Sequence, residues 1–132
     1  DDIFQEHRLL QQLLRRIRET VALRNPEADR IAGLMADLEN DLRAHFMHEE
    51  HGGYLHEALA RAPHFAGRAS VLVEEHQGFL KTVSEIRDEV SARNWRQVAA
   101  SFRRFSRSFI LHETNENSLV QEAKLRDIEA ED

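Results

Sequence analysis

The chain has 132 residues, of which 41% are hydrophobic and 32% are charged, and its formal net charge at pH 7 is −6. This length and balance predict one globular domain over residues 1–132, since disordered chains carry fewer apolar residues. The absence of cysteine excludes disulfides and thiolate metal ligands and favours a cytoplasmic location. The sequence has neither the basic stripe of a nucleic-acid-binding protein nor an apolar run of roughly 20 residues that would cross a membrane.

The first half of the chain has apolar residues at every third or fourth position, which predicts two amphipathic helices. The first stripe consists of Ile3, His7, Leu10, Leu14, Ile17 and Val21. Asn25-Pro26 ends this segment, because the residue before a proline disfavours helical backbone angles. The second stripe consists of Ile31, Leu34, Met35, Leu38, Leu42, His45 and Glu49. Gly52-Gly53 then ends or kinks the second helix.

The second half repeats this pattern after a short irregular segment, in which Pro63 is the helix breaker. The third stripe consists of Ala69, Leu72, His76, Phe79, Val83, Ile86 and Val90. Asn94 separates the last two segments and is a candidate N-cap for the fourth helix. The fourth stripe consists of Val98, Phe102, Phe105, Phe109, His112, Glu116 and Leu119. Four helices of about twenty residues or slightly more, with short connections, predict an all-α, up-down-up-down four-helix bundle.

The segment from His45 to His56 contains half of the 8 histidines of the chain. His45 and Glu49 continue the apolar stripe and lie one helical turn apart, so their side chains share a face. The other histidines of this region fall off the stripe or lie near the connection to the third helix: His48, His51, His56 and His64. We expect these side chains to be solvated or to lie behind the residues that contact a metal.

Six polar residues occupy positions on the apolar stripes: His7, His45, Glu49, His76, His112 and Glu116. A buried carboxylate without a partner costs several kcal/mol, and two that face each other cost more unless a cation lies between them. A single inward histidine is usually satisfied by a core partner, but here every helix contributes one. The set therefore predicts a pair of metal ions, with the histidines divided two and two and both carboxylates able to bridge. Iron, manganese or zinc suits imidazole and carboxylate ligands.

Four pieces of the sequence carry a resemblance to a known family: "EHRLL" around His7, "HFMHEEHGGYL" from His45, "EEHQGFL" around His76 and "HETNENSLVQEA" from His112. In this order, over nearly the whole chain, they resemble the bacterial hemerythrin-like, HHE cation-binding domains. The resemblance implies a four-helix bundle around two non-haem iron ions, which an oxo or hydroxo group can bridge. It implies His7, His45, His76 and His112 as terminal ligands and Glu49 and Glu116 as bridging ligands. Zinc or manganese would be substitutes for iron.

The sequence departs from the oxygen-carrying hemerythrins at two positions. Those proteins have a second histidine four residues after the one that matches His76, and this chain has Leu80 there. They also close the fourth helix with His-x-x-x-x-Asp, whereas this chain has His112 and Glu116. One iron should therefore keep a more open or water-filled position. The candidates to fill that position are Glu50, Tyr54 and Glu113.

A ferritin-like site is disfavoured, because it needs a glutamate three residues before a histidine, and no histidine here has one. The resemblance implies a monomer that binds, senses or scavenges oxygen, nitric oxide or related oxidants. The alternative is a di-iron oxidase or peroxidase-type enzyme, or an iron donor in iron–sulfur cluster repair. A third alternative is a helical bundle that has lost its metal and binds a protein partner.

Overall fold

A computed structural model of the chain describes the backbone of residues 2–131 and the side chains of all of these except residues 2–4, 54, 58, 61 and 127–131. The helices are α1 (Asp2–Val21), α2 (Ala28–His51), α3 (Tyr54–Arg61), α4 (Ala66–Ser91) and α5 (Trp95–Glu131), with one 3-10 turn at Pro63–Phe65. This part of the chain contains no β-strand, which confirms the all-α prediction. None of its helices is both long enough and apolar enough to cross a membrane.

The four long helices form the predicted up-down-up-down bundle. α1 packs against α2 and α5, α2 packs against α4, and α4 packs against α5. Glu39 of α2 pairs with Arg87 of α4 at 3.4 Å. Glu50, which comes later in α2, contacts His76, which comes earlier in α4. The two helices are therefore antiparallel. The short connections between α1 and α2 and between α4 and α5 favour antiparallel neighbours.

Two of the three apolar clusters of the described residues lie on either side of the stripe histidines along the bundle axis. The larger cluster has members from all four long helices, and it reaches from Leu10 on α1 to Phe109 on α5. The smaller cluster consists of Leu55, Ala69, Leu72 and Leu119. Along α4 and α5, the stripe histidines lie between the positions of these two clusters. Polar side chains at this level are therefore enclosed by apolar residues above and below.

The connection between α2 and α4 is more ordered than the irregular segment that we predicted. α2 ends at the two glycines as expected, and the Gly52 N–H donates to the His48 carbonyl at 3.0 Å. The next eight residues form α3, because "YLHEALAR" is rich in helix formers and contains neither glycine nor proline. α3 packs on α2 and α5 and buries Leu55, so it covers the end of the bundle at which α2 ends.

Two further predictions concern the last helix and the first stripe. Asn94 caps α5 as predicted, since its Oδ1 accepts from the Gln97 N–H at 3.4 Å. α5 has 37 residues, more than we predicted, because no glycine or proline follows Asn94 to end it. The side chain of Ile3, which belongs to the first stripe, lies outside the described residues.

Candidate metal centre

The four stripe histidines meet at one level of the bundle and form two pairs. The His7 and His45 ring centroids are 4.7 Å apart, and those of His76 and His112 are 4.9 Å apart. The side chains of His45, His76 and His112 are at most 3% exposed, and that of His7 is 15% exposed. The first pair joins α1 to α2, and the second joins α4 to α5, as a two-and-two division of ligands requires.

Glu49 lies between the two pairs. Its Oε1 is 3.3 Å from His45 Nε2 and 3.5 Å from His76 Nε2. Its Oε2 is 4.0 Å from His7 Nε2. Glu116 lies beside the second pair, with its Oε2 3.4 Å from His112 Nε2. Both carboxylates are buried, at 1% exposure for Glu49 and 3% for Glu116.

The potential ligand atoms fall into two compact groups, in each of which all atoms lie within 4.8 Å of one another. We call them the His7–His45 group, which consists of His7, His45 and Glu49, and the His76–His112 group, which consists of His76, His112, Glu49 and Glu116. Glu49 belongs to both groups, whereas Glu116 belongs to one. The structure thus brings all six predicted residues together, and the individual ligand roles, including bridging by Glu116, stay predictions.

The interior of this cluster contains polar atoms without hydrogen-bond partners. Among the described side chains, these buried atoms are Nε2 of His7, His76 and His112, Oε1 of Glu49 and Oε2 of Glu116. Buried polar atoms are almost always paired in folded proteins, and an unpaired one costs about 1–3 kcal/mol. A cation in contact with imidazole nitrogens and carboxylate oxygens would satisfy such atoms together. The residues present therefore fit a metal centre.

A second set of carboxylates lies behind the histidines. The Nδ1–H of His45 donates to Glu6 at 2.8 Å, and that of His112 donates to Glu75 at 2.8 Å. The Nδ1–H of His76 likewise donates to Glu50 at 2.7 Å. A proton on Nδ1 leaves Nε2 free to bind a metal, and such partners orient the ring and raise its basicity.

Sequence reasoning missed the outer roles of these three glutamates: Glu6, Glu50 and Glu75. A signal was present, because each is the immediate neighbour of a stripe residue: His7, Glu49 and His76, respectively. A residue beside the stripe points toward the adjacent helix of a bundle, and each of these glutamates contacts the histidine of the next long helix.

Burial shifts the pKa values of the cluster toward its uncharged forms. It raises the pKa of Glu116 to about 8 and lowers the pKa of His7 to about 4. Burial also lowers the pKa values of His45, His76 and His112, although a carboxylate at each Nδ1 opposes that shift. Neutral imidazole is the form that binds a metal, whereas Glu116 must lose its proton. Binding of a metal ion by Glu116 would therefore release a proton.

The remaining histidines of the sequence lie outside the cluster. His51, His56 and His64 are exposed, as expected. His48 lies behind the first pair, since its Nδ1 is 2.7 Å from the Oε2 of Glu6, the residue that also contacts His45. These positions agree with the sequence interpretation, in which only the histidines on the apolar stripes face the interior.

The three candidates for the position left by Leu80 differ in their surroundings. The carboxylate of Glu50 is engaged at the outer nitrogen of His76. The side chain of Tyr54 lies outside the described residues. Glu113 is buried at the edge of the His7–His45 group, where its Oε2 is 3.6 Å from His7 Nε2.

Aromatic rings enclose the His76–His112 group. The Phe46 ring stacks on His76, with centroids 3.9 Å apart and an interplanar angle of 7°. The Phe79 ring packs edge-on against His112, with centroids 5.1 Å apart. Within the described residues, no aromatic ring of a phenylalanine stacks on the His7–His45 group, although the Phe46 and His45 ring centroids are 6.0 Å apart. An apolar wall limits access of water and strengthens electrostatic interactions inside it.

The fold and the cluster together define a helical bundle with a cation-binding site in its core. Comparison with known families agrees, since the Hemerythrin HHE cation binding domain matches residues 1–123, and the chain belongs to this family. No curated protein and no solved structure gives a match.

Proposed function

We propose that the chain is a non-haem di-iron protein that binds, senses or scavenges oxygen, nitric oxide or a related oxidant. The observation that carries this proposal is the pair of ligand groups that share Glu49. A single ion would need one compact group, whereas here Glu49 belongs to two groups that contain different histidines. Imidazole with carboxylate suits iron better than it suits calcium or magnesium, which prefer oxygen ligands.

Each residue of the cluster has a task in this function. The four histidines would hold the ions through Nε2, and Glu49, which belongs to both groups, would be shared by the two ions. Glu6, Glu50 and Glu75 hold the imidazole rings in the required orientation and tautomer. When bound, a pair of iron ions supplies one-electron redox chemistry and an open coordination position for a small ligand.

The surroundings of the His76–His112 group favour a small uncharged ligand such as a diatomic gas. Leu80 lies one helical turn after His76, and its buried side chain adds no ligand atom there. The rings of Phe46 and Phe79 add an apolar surface next to the same histidines. We propose that the position beside Leu80 remains available for an exogenous molecule, since none of these residues can coordinate a metal.

The test is a set of optical spectra of the iron-loaded, reduced protein before and after exposure to oxygen and, separately, to nitric oxide. We expect either gas to change the near-ultraviolet and visible absorption, because it would bind or oxidise the ions. The metal-free protein is the control and should show no change. A spectrum that neither gas alters would exclude the proposal. Sustained turnover of peroxide, or iron transfer to an apo iron–sulfur protein, would instead assign the enzyme or iron-donor role.

A further inference from the structure

Glu113 is a buried carboxylate to which the proposed function gives no role. It lies on α5 directly after His112 and is 8% exposed. Its Oε1 accepts a hydrogen bond from the Gln11 side-chain amide at 2.8 Å. Its Oε2 is 3.6 Å from Nε2 of His7, an atom that has no hydrogen-bond partner. A buried carboxylate with one neutral donor is incompletely satisfied, so a further partner at Oε2 would stabilise it.

The position of Glu113 completes a pattern around the bundle. Glutamates next to stripe residues connect α1 to α2, α2 to α4 and α4 to α5 through the outer Nδ1 atoms of the histidines. Glu113 closes this ring from α5 to α1, but it approaches the inner nitrogen of His7. That nitrogen belongs to the His7–His45 group. Glu113 therefore lies on the side of the imidazole that the proposed ion would occupy.

Gln11 fixes the orientation of this carboxylate. It lies four residues after His7 on α1, so both side chains are on the same face of that helix. Its amide occupies Oε1 of Glu113, which leaves Oε2 directed toward His7. A preorganised ligand binds a metal better than a mobile one, because less side-chain freedom is lost on binding.

Apart from Glu49 and Glu116, the predicted bridging ligands, no described carboxylate lies at an inner nitrogen of the His76–His112 group. Leu80 follows His76 by one helical turn and is buried, and Phe46 stacks on the same imidazole. The nearby Glu50 carboxylate accepts from the outer nitrogen of His76. With Glu49 and Glu116 as ligands of both ions, as predicted, the two ion positions are unequal, since only the His7–His45 group has a further carboxylate beside it and the His76–His112 group has an apolar wall.

We propose that Glu113, held by Gln11, is a ligand of the ion bound by the His7–His45 group. The open position then belongs to the ion of the His76–His112 group, beside Leu80, where an exogenous molecule binds. This inference rests on the proposed dinuclear centre and assigns its two ions different tasks. Protein ligands fill the coordination positions of the ion in the His7–His45 group, and the exogenous molecule binds the ion in the His76–His112 group.

The first test is titration of the metal-free protein with Co²⁺, a spectroscopic substitute for Fe²⁺, monitored by absorption and calorimetry. We expect the wild-type protein to bind two ions and Glu113→Gln to bind one of them at least ~10- to 100-fold more weakly, a loss comparable to that of a metal-orienting partner. Glu122→Gln is the matched control, because Glu122 is an exposed residue of α5 that pairs with Arg68 at the surface.

Each outcome of the titration has a distinct meaning. Unchanged binding of both ions by Glu113→Gln would overturn the ligand role of Glu113 and leave the dinuclear centre intact. Failure of the wild-type protein to bind more than one ion would overturn the dinuclear centre, and this inference with it. Gln11→Ala keeps the Glu113 carboxylate but removes its hydrogen bond. We therefore expect it to lower the affinity for the same ion, but by less than Glu113→Gln does.

A second test locates the open position, with azide as the probe. Leu80→His places an imidazole beside His76, so we expect the metal-loaded variant to retain both ions and lose azide binding. Glu113→Gln exposes a position at the other ion, and at saturating metal we expect it to bind more azide per chain than the wild-type protein. Azide binding by Leu80→Gln, a polar control without an imidazole, should persist. If Leu80→His and Glu113→Gln both bind as much azide per chain as the wild-type protein, the proposed difference between the two ion positions is overturned.

Discussion

At the scale of single residues, the centre depends on Glu49, since this carboxylate alone belongs to both ligand groups among the described residues. Glu116 contributes to the His76–His112 group and bridges in our prediction. We expect Glu49→Ala and Glu116→Ala to abolish binding of a pair of metal ions, with affinity reduced by more than ~100-fold, because outer partners alone contribute about 10- to 100-fold. Elemental analysis of the purified variants measures this loss.

The control for these variants is His51→Ala. His51 lies two residues after Glu49 but is exposed at the end of α2. Its removal should leave the metal content nearly unchanged. Equal metal content in Glu49→Ala, Glu116→Ala and His51→Ala would contradict the bridging assignment.

The ligand candidates were predictable from the sequence because they interrupt an apolar stripe. A buried histidine or glutamate is visible in the sequence as a polar residue at a position where the period of 3.6 residues calls for an apolar one, as at His76 or Glu116. The outer glutamates were not predictable in the same way. Glu75 lies beside the stripe, and its contact with His112 depends on the rotation and spacing of two helices, which no local pattern specifies. The same holds for Glu113, whose contact with His7 joins the first and last helices.

At the scale of helices, the turn directly after α4 contains a residue in an unfavourable conformation. Arg93 has a φ of 58°, in the left-handed region, where a β-carbon costs about 1–2 kcal/mol. The N–H of Arg93 donates to the Val90 carbonyl, and that of Asn94 donates to the Glu89 carbonyl. This is a Schellman motif, in which glycine usually occupies the position of Arg93.

We expect Arg93→Gly to stabilise the protein by about 0.5–1 kcal/mol, since it removes the conformational strain but increases the freedom of the unfolded chain. Urea unfolding of the metal-free protein measures the free energy of unfolding. Arg93→Ala is the matched control, because alanine retains a β-carbon and should give little change. A destabilised Arg93→Gly variant would show that the arginine side chain stabilises the turn.

The helices themselves were predictable to different degrees. The four long helices follow from their stripes and from the breakers Pro26 and Asn94, which are local signals. α3 was not predicted, because its eight residues are too few to show a stripe and lie between Gly53 and Pro63. Its position depends on packing of Leu55 in the smaller apolar cluster, which is a tertiary contact.

At the scale of the whole molecule, the metal-free protein retains carboxyl groups in an apolar interior. Burial raises the pKa of Glu113 to about 7 and that of Glu116 to about 8, from an ordinary value of 4.5. Their contribution to stability is complete below the ordinary value and is lost as the pH rises through the raised values. His7 acts in the opposite direction: its pKa falls from 6.5 to about 4, so its contribution is present above 6.5 and is lost on acidification.

Well above the ordinary histidine pKa of 6.5, the histidines are uncharged in the folded and the unfolded chain, so only the carboxyl groups of this cluster still change protonation. We therefore expect the free energy of unfolding of the metal-free protein to fall as the pH rises through about 8, the raised pKa of Glu116. Urea unfolding at several pH values measures this change, and Glu116→Gln should make it smaller. Stability that increases over this range in the metal-free protein would contradict the burial of uncharged carboxyl groups.

The metal content of the whole chain tests the central claim most directly. The protein would be expressed in iron-supplied medium, purified without chelator and analysed for all metals relative to protein concentration. Two histidine pairs that share Glu49 predict close to two iron ions per chain. One zinc ion, or no metal at all, would contradict a di-iron centre.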